Sequence, residues 1–428
     1  MTKSVLNEGR LGNKSVNATA VAVPVEPSAP KFPSLETRLG TISPTVLAVI
    51  CVIGAVLGGV TQNVALPLWL VALDDSSAGA NPYFVLTFAS AAYVVIFGLV
   101  VAYLKLFTNA LGEVEARFPH KFLALIGACD ALNGILVVFA SPPQRTAPFL
   151  QALLGNAIIP FTFAGSYLLL HRKTTWKHVA CAALCVLGLL IALTPTIFNL
   201  DDVAERYSSS SSARYVWPMV FMVGFLPAAL MNIYEEKVLK TIGASASSMG
   251  RLNLYFMLFW TSLYQLLTAG LAFWAAFIPG FGVSTAKAFP NSMWVNLQCT
   301  FGGAGCSWAP FFAVVFIGGY VASYVFGGFL FRYASANYNV VASSLVTPLG
   351  ALFWTFFRST PFGWDMQVNY TTWLSLSALP VLLAGIMWYH RLEAEDEASD
   401  GAVDIDALDL DHGEVRTMRA GAHDYITI

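Results

Sequence analysis

The 428-residue chain carries 23 Lys and Arg against 25 Asp and Glu, a formal net charge of −2, and is 57% hydrophobic with only 11% charged residues. Soluble domains hold about a quarter charged residues, so a water-soluble globule of this composition would leave whole apolar faces uncovered. The near-balance of charge excludes a protein built to bind nucleic acid or another polyanion.

Residues 1–42 are rich in Pro, Ser and Asn and lack the apolar core of a signal peptide; Glu8, Glu26 and Glu36 count against a transit peptide. This stretch reads as a disordered cytosolic tail, which leaves the first apolar helix as the targeting signal. A helix needs roughly 20 mainly apolar residues to cross ~30 Å of hydrocarbon. By that criterion ten spans are predicted, near 44–71, 83–105, 121–140, 147–170, 178–198, 216–235, 252–278, 309–331, 337–357 and 371–390. With the N-terminus in the cytosol, all Lys and Arg except Arg145, Arg206, Arg214, Lys287 and Arg358 fall on the cytosolic side, as the positive-inside rule requires. An odd number of spans breaks that pattern, so both termini are expected in the cytosol. The expected organisation is a five-helix repeat over 43–198, a non-cytosolic linker over 199–215, a second five-helix repeat over 216–391 and an acidic cytosolic tail over 392–428. Repeats with an odd number of spans face opposite ways, the inverted plan of many carriers. One internal echo accompanies it: NAIIPFTFAGSYLLLHR in the fourth span and SLVTPLGALFWTFFRS in the ninth each combine polar residues, a proline and a closing arginine.

The chemistry-bearing residues follow the same order. Gln62 and Asn63 precede Pro67 in the first span. Asp130, in IGACDALNGILVVF, is the one carboxylate near the middle of a span, and Asn133 follows one helical turn later. An ionisable group inside a membrane is a functional candidate. Asp130 is read either as a protonatable group lining a central cavity or as a carboxylate satisfied by hydroxyls and amides between packed helices. Asn156 and Thr162 bracket Pro160, Asn232 follows Pro227, and Tyr338, Asn339, Ser343 and Thr347 precede Pro348. Prolines free backbone carbonyls that are tolerated where they face protein or a watery cavity. Singly, such polar residues are helix-packing contacts; as a set over four spans they predict a polar cavity. At the cytosolic end of the sixth span, Glu235 reads as a solvated helix terminus and Glu236 as a cavity candidate. Cys299 and Cys306, in LQCTFGGAGC within the non-cytosolic loop 279–308, are spaced for a disulfide in an oxidising compartment, with two free thiols as the alternative. No histidine accompanies them, which argues against metal. No phosphate loop, zinc-protease, serine-hydrolase or redox motif is present, so neither a cofactor nor an enzymatic role is expected.

The stretch from Asp130 through Pro160 to His171, Arg172 and Lys173 resembles the third and fourth helices of chloroquine-resistance-transporter-like proteins. FLPAALMNIYEEKVLK at 225–240 with GRLN at 250–253, and TQNVALPLWLVAL with the following ANPYF, resemble the same family, and the likeness runs over roughly residues 45–390. It implies a drug/metabolite-transporter fold of two inverted five-helix repeats around a central cavity, in vacuolar, lysosome-like or plastid-envelope membranes. It also implies transport of amino acids, small peptides, glutathione-like thiols or cationic amphiphiles, often coupled to protons. By motif, Asp130 matches an acidic position of the third helix, Asn156 a polar cavity position of the fourth and Glu236 an acidic position ending the sixth; Asn63 falls where some members have a basic residue. Two loop cysteines stand where the malarial branch has four. The expected function is therefore a proton-linked secondary transporter working by alternating access. A nucleotide-sugar or sugar-phosphate carrier of the same superfamily and a non-transporting membrane receptor or scaffold are the alternatives. The closing residues YITI resemble a tyrosine-based sorting signal, which implies adaptor proteins as partners of the C-terminal tail.

Overall fold

The computed structural model describes residues 35–37, 40–108, 110–170, 176–197, 213–239, 252–279, 281–282, 285–303, 305–333, 345–359 and 362–366, with further short pieces between 339 and 392. Residues 1–34, the linker at 199–212 and the acidic tail from 393 onward lie outside the described residues, as does the sorting motif. The described chain is mostly helical, with two small antiparallel hairpins: β1 (Leu35–Thr37) with β2 (Gly40–Ile42), and β3 (Phe357–Ser359) with β4 (Phe362–Trp364). The first hairpin occupies the end of the stretch expected to be a disordered tail.

Helix starts follow local capping chemistry. The first helix, α1 (Pro44–Asp74), begins behind Ser43, whose hydroxyl accepts from the Val46 amide, with Pro44 placed where no amide is needed. Asn81 caps α2 (Pro82–Phe107) in the same way, accepting from the Tyr83 and Phe84 amides. A five-residue helix, α3 (Glu113–Arg117), precedes α4 (His120–Ala140). The expected fourth span is interrupted: α5 (Pro148–Leu154) passes through a 3₁₀ turn, Gly155–Ala157, into α6 (Ile158–Leu170). The cause is Pro160, which has no N–H to give the Asn156 carbonyl; the Ile158 amide turns back to the Asn156 and Gly155 carbonyls instead. Then follow α7 (Trp176–Ile197), α8 (Ala213–Lys237) and α9 (Leu254–Leu271). The expected loop 279–308 contains a helix, α10 (Phe289–Thr300), before α11 (Ala309–Tyr333) and α12 (Val346–Phe356).

Six of these, α1, α2, α4, α8, α9 and α11, are long and apolar enough to cross a membrane. Four shorter apolar helices, Pro148–Thr162, Val179–Ile191, Val346–Phe356 and Leu376–Gly385, fall where the fourth, fifth, ninth and tenth spans are expected. Large apolar side chains such as Leu57, Leu99, Val186 and Val314 stay exposed on the outer surface, as a hydrocarbon solvent permits. The main core gathers Trp69, Tyr93, Phe97, Leu123 and Ile126 with Leu252, Leu254 and Phe331.

Helix pairing brings the two halves together. α1 runs along α11 and α4 along α8, while α6 meets α8 and α1 meets α12; α2 with α9 and α5 with α12 also bridge the halves. Glycine lets two of these crossings close. A Cβ on Gly58 would sit 2.5 Å from the Ser323 nitrogen, and one on Gly224 would sit 3.1 Å from the Leu136 Cβ. Small residues at such crossings let backbones approach within van der Waals contact.

The loops are pinned by polar residues. Glu115 on α3 is buried and accepts from the Gly112 amide at 2.8 Å and the Asn253 amide at 3.0 Å. Asn253 in turn caps α9 through the Tyr255 and Phe256 amides. Replacing Glu115 by Ala strips two donors of their acceptor, and an unmet buried donor costs ~1–3 kcal/mol. The expected outcome is a clear fall in the thermal unfolding midpoint of the detergent-solubilised protein; an unchanged midpoint contradicts this anchoring role.

On the other side, α10 buries its polar residues rather than its apolar ones. Asn296 accepts from the Asn81 amide and donates to the Gly79 carbonyl, and Ser292 accepts from the Asn81 side chain. The helix stops at Phe301 because Gly302 takes φ +85°, a left-handed conformation open to glycine. Gly305, at φ +84°, completes the turn that brings Cys306 to Cys299, and the two are joined as a disulfide with Cα atoms 5.1 Å apart. The other four cysteines, Cys51, Cys129, Cys181 and Cys185, are free and buried. Alkylation of the denatured, unreduced chain is therefore expected to label those four, and all 6 after reduction; six labels without reduction exclude the bridge.

Candidate functional site

A cavity of about 250 Å³ lies where the two halves meet. Gln62 and Asn63 reach it from α1 because they lie a turn beyond the close approach at Gly58, on a helix that carries Pro67. Asn133 enters from α4, Gln151 and Asn156 from either side of the α5–α6 junction, and Asn232 from α8. Ser323 on α11, Asn339 and Ser343 ahead of α12, and Thr347 on α12 complete the polar part. Leu66, Val137, Ile159, Phe221 and Phe225 supply the apolar part. Among the described lining residues none is ionisable. The surface is one of carboxamides and hydroxyls set in hydrocarbon, which recognises solutes by hydrogen bonding and shape rather than by net charge.

Several of these side chains are held in place. The Asn133 amide donates to the Gly224 carbonyl at 2.9 Å, tying α4 to α8. The Gln151 amide donates to the Ser141 and Thr146 carbonyls, both at 2.7 Å, closing the α4–α5 turn over one end. Beside that turn, the Arg145 guanidinium donates to the Phe139 carbonyl and lies 3.8 Å above the Trp217 ring. The Thr347 hydroxyl donates to Asn156 Oδ1 at 2.9 Å, joining the fourth and ninth predicted spans at the two segments that echo each other in sequence.

Eight of the residues singled out from sequence, Gln62, Asn63, Asn133, Asn156, Asn232, Asn339, Ser343 and Thr347, thus lie on one cavity. Asp130 does not line it. Its carboxylate is buried a helical turn away, accepting from the Tyr320 hydroxyl at 2.7 Å and the Tyr324 hydroxyl at 3.3 Å. Tyr93, Tyr320 and Tyr324 form a stack with ring centroids 3.9 and 4.0 Å apart. Both hydrogen-bonding tyrosines come from α11, and Tyr93 stacks on them from α2. Thr162 also falls outside the cavity lining, its hydroxyl buried without a hydrogen-bond partner among the described residues. Tyr338 and the side chain of Glu236 lie outside the described residues. Glu235 is not a solvated terminus: it is 4% exposed, because α8 continues to Lys237 and the buried Val238 and Leu239 follow. It comes within electrostatic reach of Asp130.

Sequence reasoning passed over Gln151, Ser323, Tyr320 and Tyr324. Gln151 had a readable signal, a carboxamide in the apolar run PFLQALL. The tyrosines had none, since tyrosine is common in this chain and at home in membrane helices.

Six helices long and apolar enough to cross a membrane, around a cavity whose described lining is polar but uncharged, fit an integral membrane protein. The family model for CRT-like, chloroquine-resistance transporter-like proteins matches residues 48–305, more than half of the chain, and the chain belongs to that family. It is 31% identical to Crt homolog 1 of Dictyostelium discoideum over 173 residues, which is 40% of this chain and 33% of that protein. Crt homolog 2 of the same organism is 28% identical over 181 residues, 42% of this chain and 34% of that protein. The chloroquine resistance transporter of Toxoplasma gondii is 22% identical over 213 residues, 49% and 22% of the two chains. The matched region spans between 22% and 34% of these relatives' own length.

Proposed function

We propose that this chain is a secondary carrier that moves small polar solutes across an organelle membrane by alternating access. The observation that carries the reading is the carboxamide-lined cavity between the two halves of a chain from a transporter family. Its cargo is an amino acid, a small peptide, a glutathione-like thiol or a cationic amphiphile. A ten-span, inverted-repeat architecture is supported by the four shorter apolar helices and by the pairing pattern. Exchanging the halves turns the α1–α11 contact into α4–α8, and the α6–α8 contact into α1–α12. Rocking of one half against the other opens the cavity to each side in turn. Asp130, flanked by Tyr320, Tyr324 and Glu235 beside the cavity, is the proton-sensitive group of this cycle. Both termini are cytosolic, and the membrane is vacuolar or lysosome-like, with sorting adaptors engaging the C-terminal tail. The uncharged lining speaks against nucleotide sugars and sugar phosphates, which need cations to hold phosphate.

The test is uptake by proteoliposomes under an imposed pH gradient, with a cationic amino acid, a dipeptide, glutathione, a nucleotide sugar and chloroquine as the panel. Saturable, gradient-dependent movement of the dipeptide, glutathione, the amino acid or chloroquine is expected. Movement of the nucleotide sugar alone, or of nothing from folded protein, sinks the reading.

A further inference from the structure

Asn156 is 4% exposed and faces the cavity from the 3₁₀ turn that Pro160 imposes between α5 and α6. One end of its amide is committed: Oδ1 accepts from the Thr347 hydroxyl at 2.9 Å. The other end is not. Nδ2 is buried with no hydrogen-bond partner among the described residues. A buried amide donor left unmet is unfavourable, and that cost, held at a cavity wall, is recovered when a ligand brings the missing acceptor. The tether also decides which end is offered. Thr347 favours this orientation: it donates to Oδ1 at 2.9 Å, closer than its other acceptor, the Ala152 carbonyl at 3.3 Å, and a turned amide would leave the hydroxyl only that longer bond to donate. Thr347 is itself 5% exposed, on the helix from the other half of the chain, with Gly350 one turn on packed against Ala152. A Cβ on Gly350 would lie 3.3 Å from the Ala152 Cβ, so little play is left at this contact.

We propose that the Asn156–Thr347 pair is the specificity-determining hydrogen bond of the cavity: Thr347 fixes the Asn156 amide so that Nδ2 takes an acceptor oxygen of the cargo, a carboxylate or a carboxamide carbonyl. The proposal rests on the carrier reading for its cargo but concerns binding, which is measured separately. Solutes with a terminal acyl oxygen pair with Nδ2. Solutes of the same length that end in an alkyl group leave it unmet, and a site built to hydrogen-bond a ligand rejects the analogue that lacks the partner. Asn156 and Thr347 come from opposite halves of the chain, so cargo bound here also bears on the contact that must change in alternating access.

The experiment measures ligand-induced thermal stabilisation of the purified full chain, with proteoliposome uptake run alongside. The probes are L-alanyl-L-alanine, its C-terminal amide L-alanyl-L-alaninamide, and N-(3-methylbutan-2-yl)-L-alaninamide, in which an isopropyl group replaces the terminal acyl group. In the native protein the third probe is expected to bind at least about tenfold more weakly than the better of the first two, the loss of one good hydrogen bond. Equal binding of the dipeptide and its amide assigns the site to a carbonyl; preference for the dipeptide assigns it to a carboxylate. Asn156→Asp keeps the acceptor for Thr347 and removes the amide donor, so the discrimination should vanish. Thr347→Val should erode it and Thr347→Ser should preserve it, which carries the test if Asn156→Asp fails to fold. Undiminished discrimination in Asn156→Asp or in Thr347→Val, or none in the native protein, overturns the proposal. Discriminating binding without any uptake leaves the proposal standing and removes the carrier reading instead.

Discussion

Asp130→Asn is expected to abolish the stimulation of uptake by a pH gradient while the protein still folds and reaches the membrane. Asparagine keeps the volume of the side chain and the oxygen that accepts from the Tyr320 hydroxyl at 2.7 Å. Its new NH₂ faces the Tyr324 hydroxyl, which lies at 3.3 Å and already has the Met231 sulfur at 3.7 Å as another acceptor. Tyr324 can turn to that sulfur, so no buried donor loses every partner. What disappears is the titratable group. The ionisable residues facing it are Tyr93 on α2, Tyr320 and Tyr324 on α11, Glu235 on α8 and its neighbour Cys129. Among these only Glu235 shares its carboxylate chemistry, so Glu235→Gln is expected to weaken the gradient response. Uptake driven by cargo exchange at equal pH should persist in Asp130→Asn, because the carboxylate does not line the cavity. The measurement is paired uptake with and without the gradient, on protein whose monodispersity has been checked. A preserved gradient response refutes the proton role. If Asp130→Asn does not accumulate, Tyr320→Phe, which leaves the carboxylate but removes its shorter hydrogen bond, should shift the pH dependence of uptake.

The long helices were legible because a bilayer imposes a length and a composition; the caps at Ser43–Pro44 and Asn81–Pro82 that fix their starts went unread. Where a helix answers to protein rather than lipid, that rule gives no signal. α10 buries Ser292 and Asn296 against Asn81 and exposes Trp294, an inside-out pattern that reads as loop. The 3₁₀ turn at Gly155–Ala157 was hidden inside an apolar run, although Pro160 held the reason for it. Gln62, Asn63, Asn156 and Asn232 were visible because each is costly in hydrocarbon and sits near a proline, and Asn133 because it follows Asp130 by one turn. Their common destination depended on helix rotation, which hydropathy does not encode. Glu235 shows the limit most plainly. Adjacent residues on a helix point about 100° apart, and only the packing of α8 along α4 decides that Glu235 faces inward. Asp130 fell between its two sequence readings, bonded to hydroxyls between helices and yet adjacent to the cavity.

Two neighbouring glycine substitutions should behave as opposites. Gly58 faces α11 so closely that its Cβ would lie 2.5 Å from the Ser323 nitrogen and 2.7 Å from the Gly319 carbonyl oxygen. Both are backbone atoms, so no side chain can swing aside and the helices themselves must part. Gly318, one residue before that carbonyl, has nothing within 4 Å of its would-be Cβ. Gly58→Ala is therefore expected to destabilise the protein by at least the ~1–3 kcal/mol typical of overpacking, and Gly58→Leu to yield little monodisperse protein. Gly318→Ala should be neutral or stabilising by up to about 1 kcal/mol, since glycine is the weaker helix former. The crossing also sets the cavity: Gln62 lies one turn beyond Gly58, and Ser323 is the residue its Cβ would strike, so parting these helices moves two lining groups at once. Uptake by Gly58→Ala should fall with its stability, with KM raised, while Gly318→Ala transports as the native protein does. Thermal unfolding in detergent beside uptake kinetics reads both. Equal behaviour of the two alanine variants would mean that α1 and α11 are not in backbone contact, and that the cavity between the halves is shaped by something else.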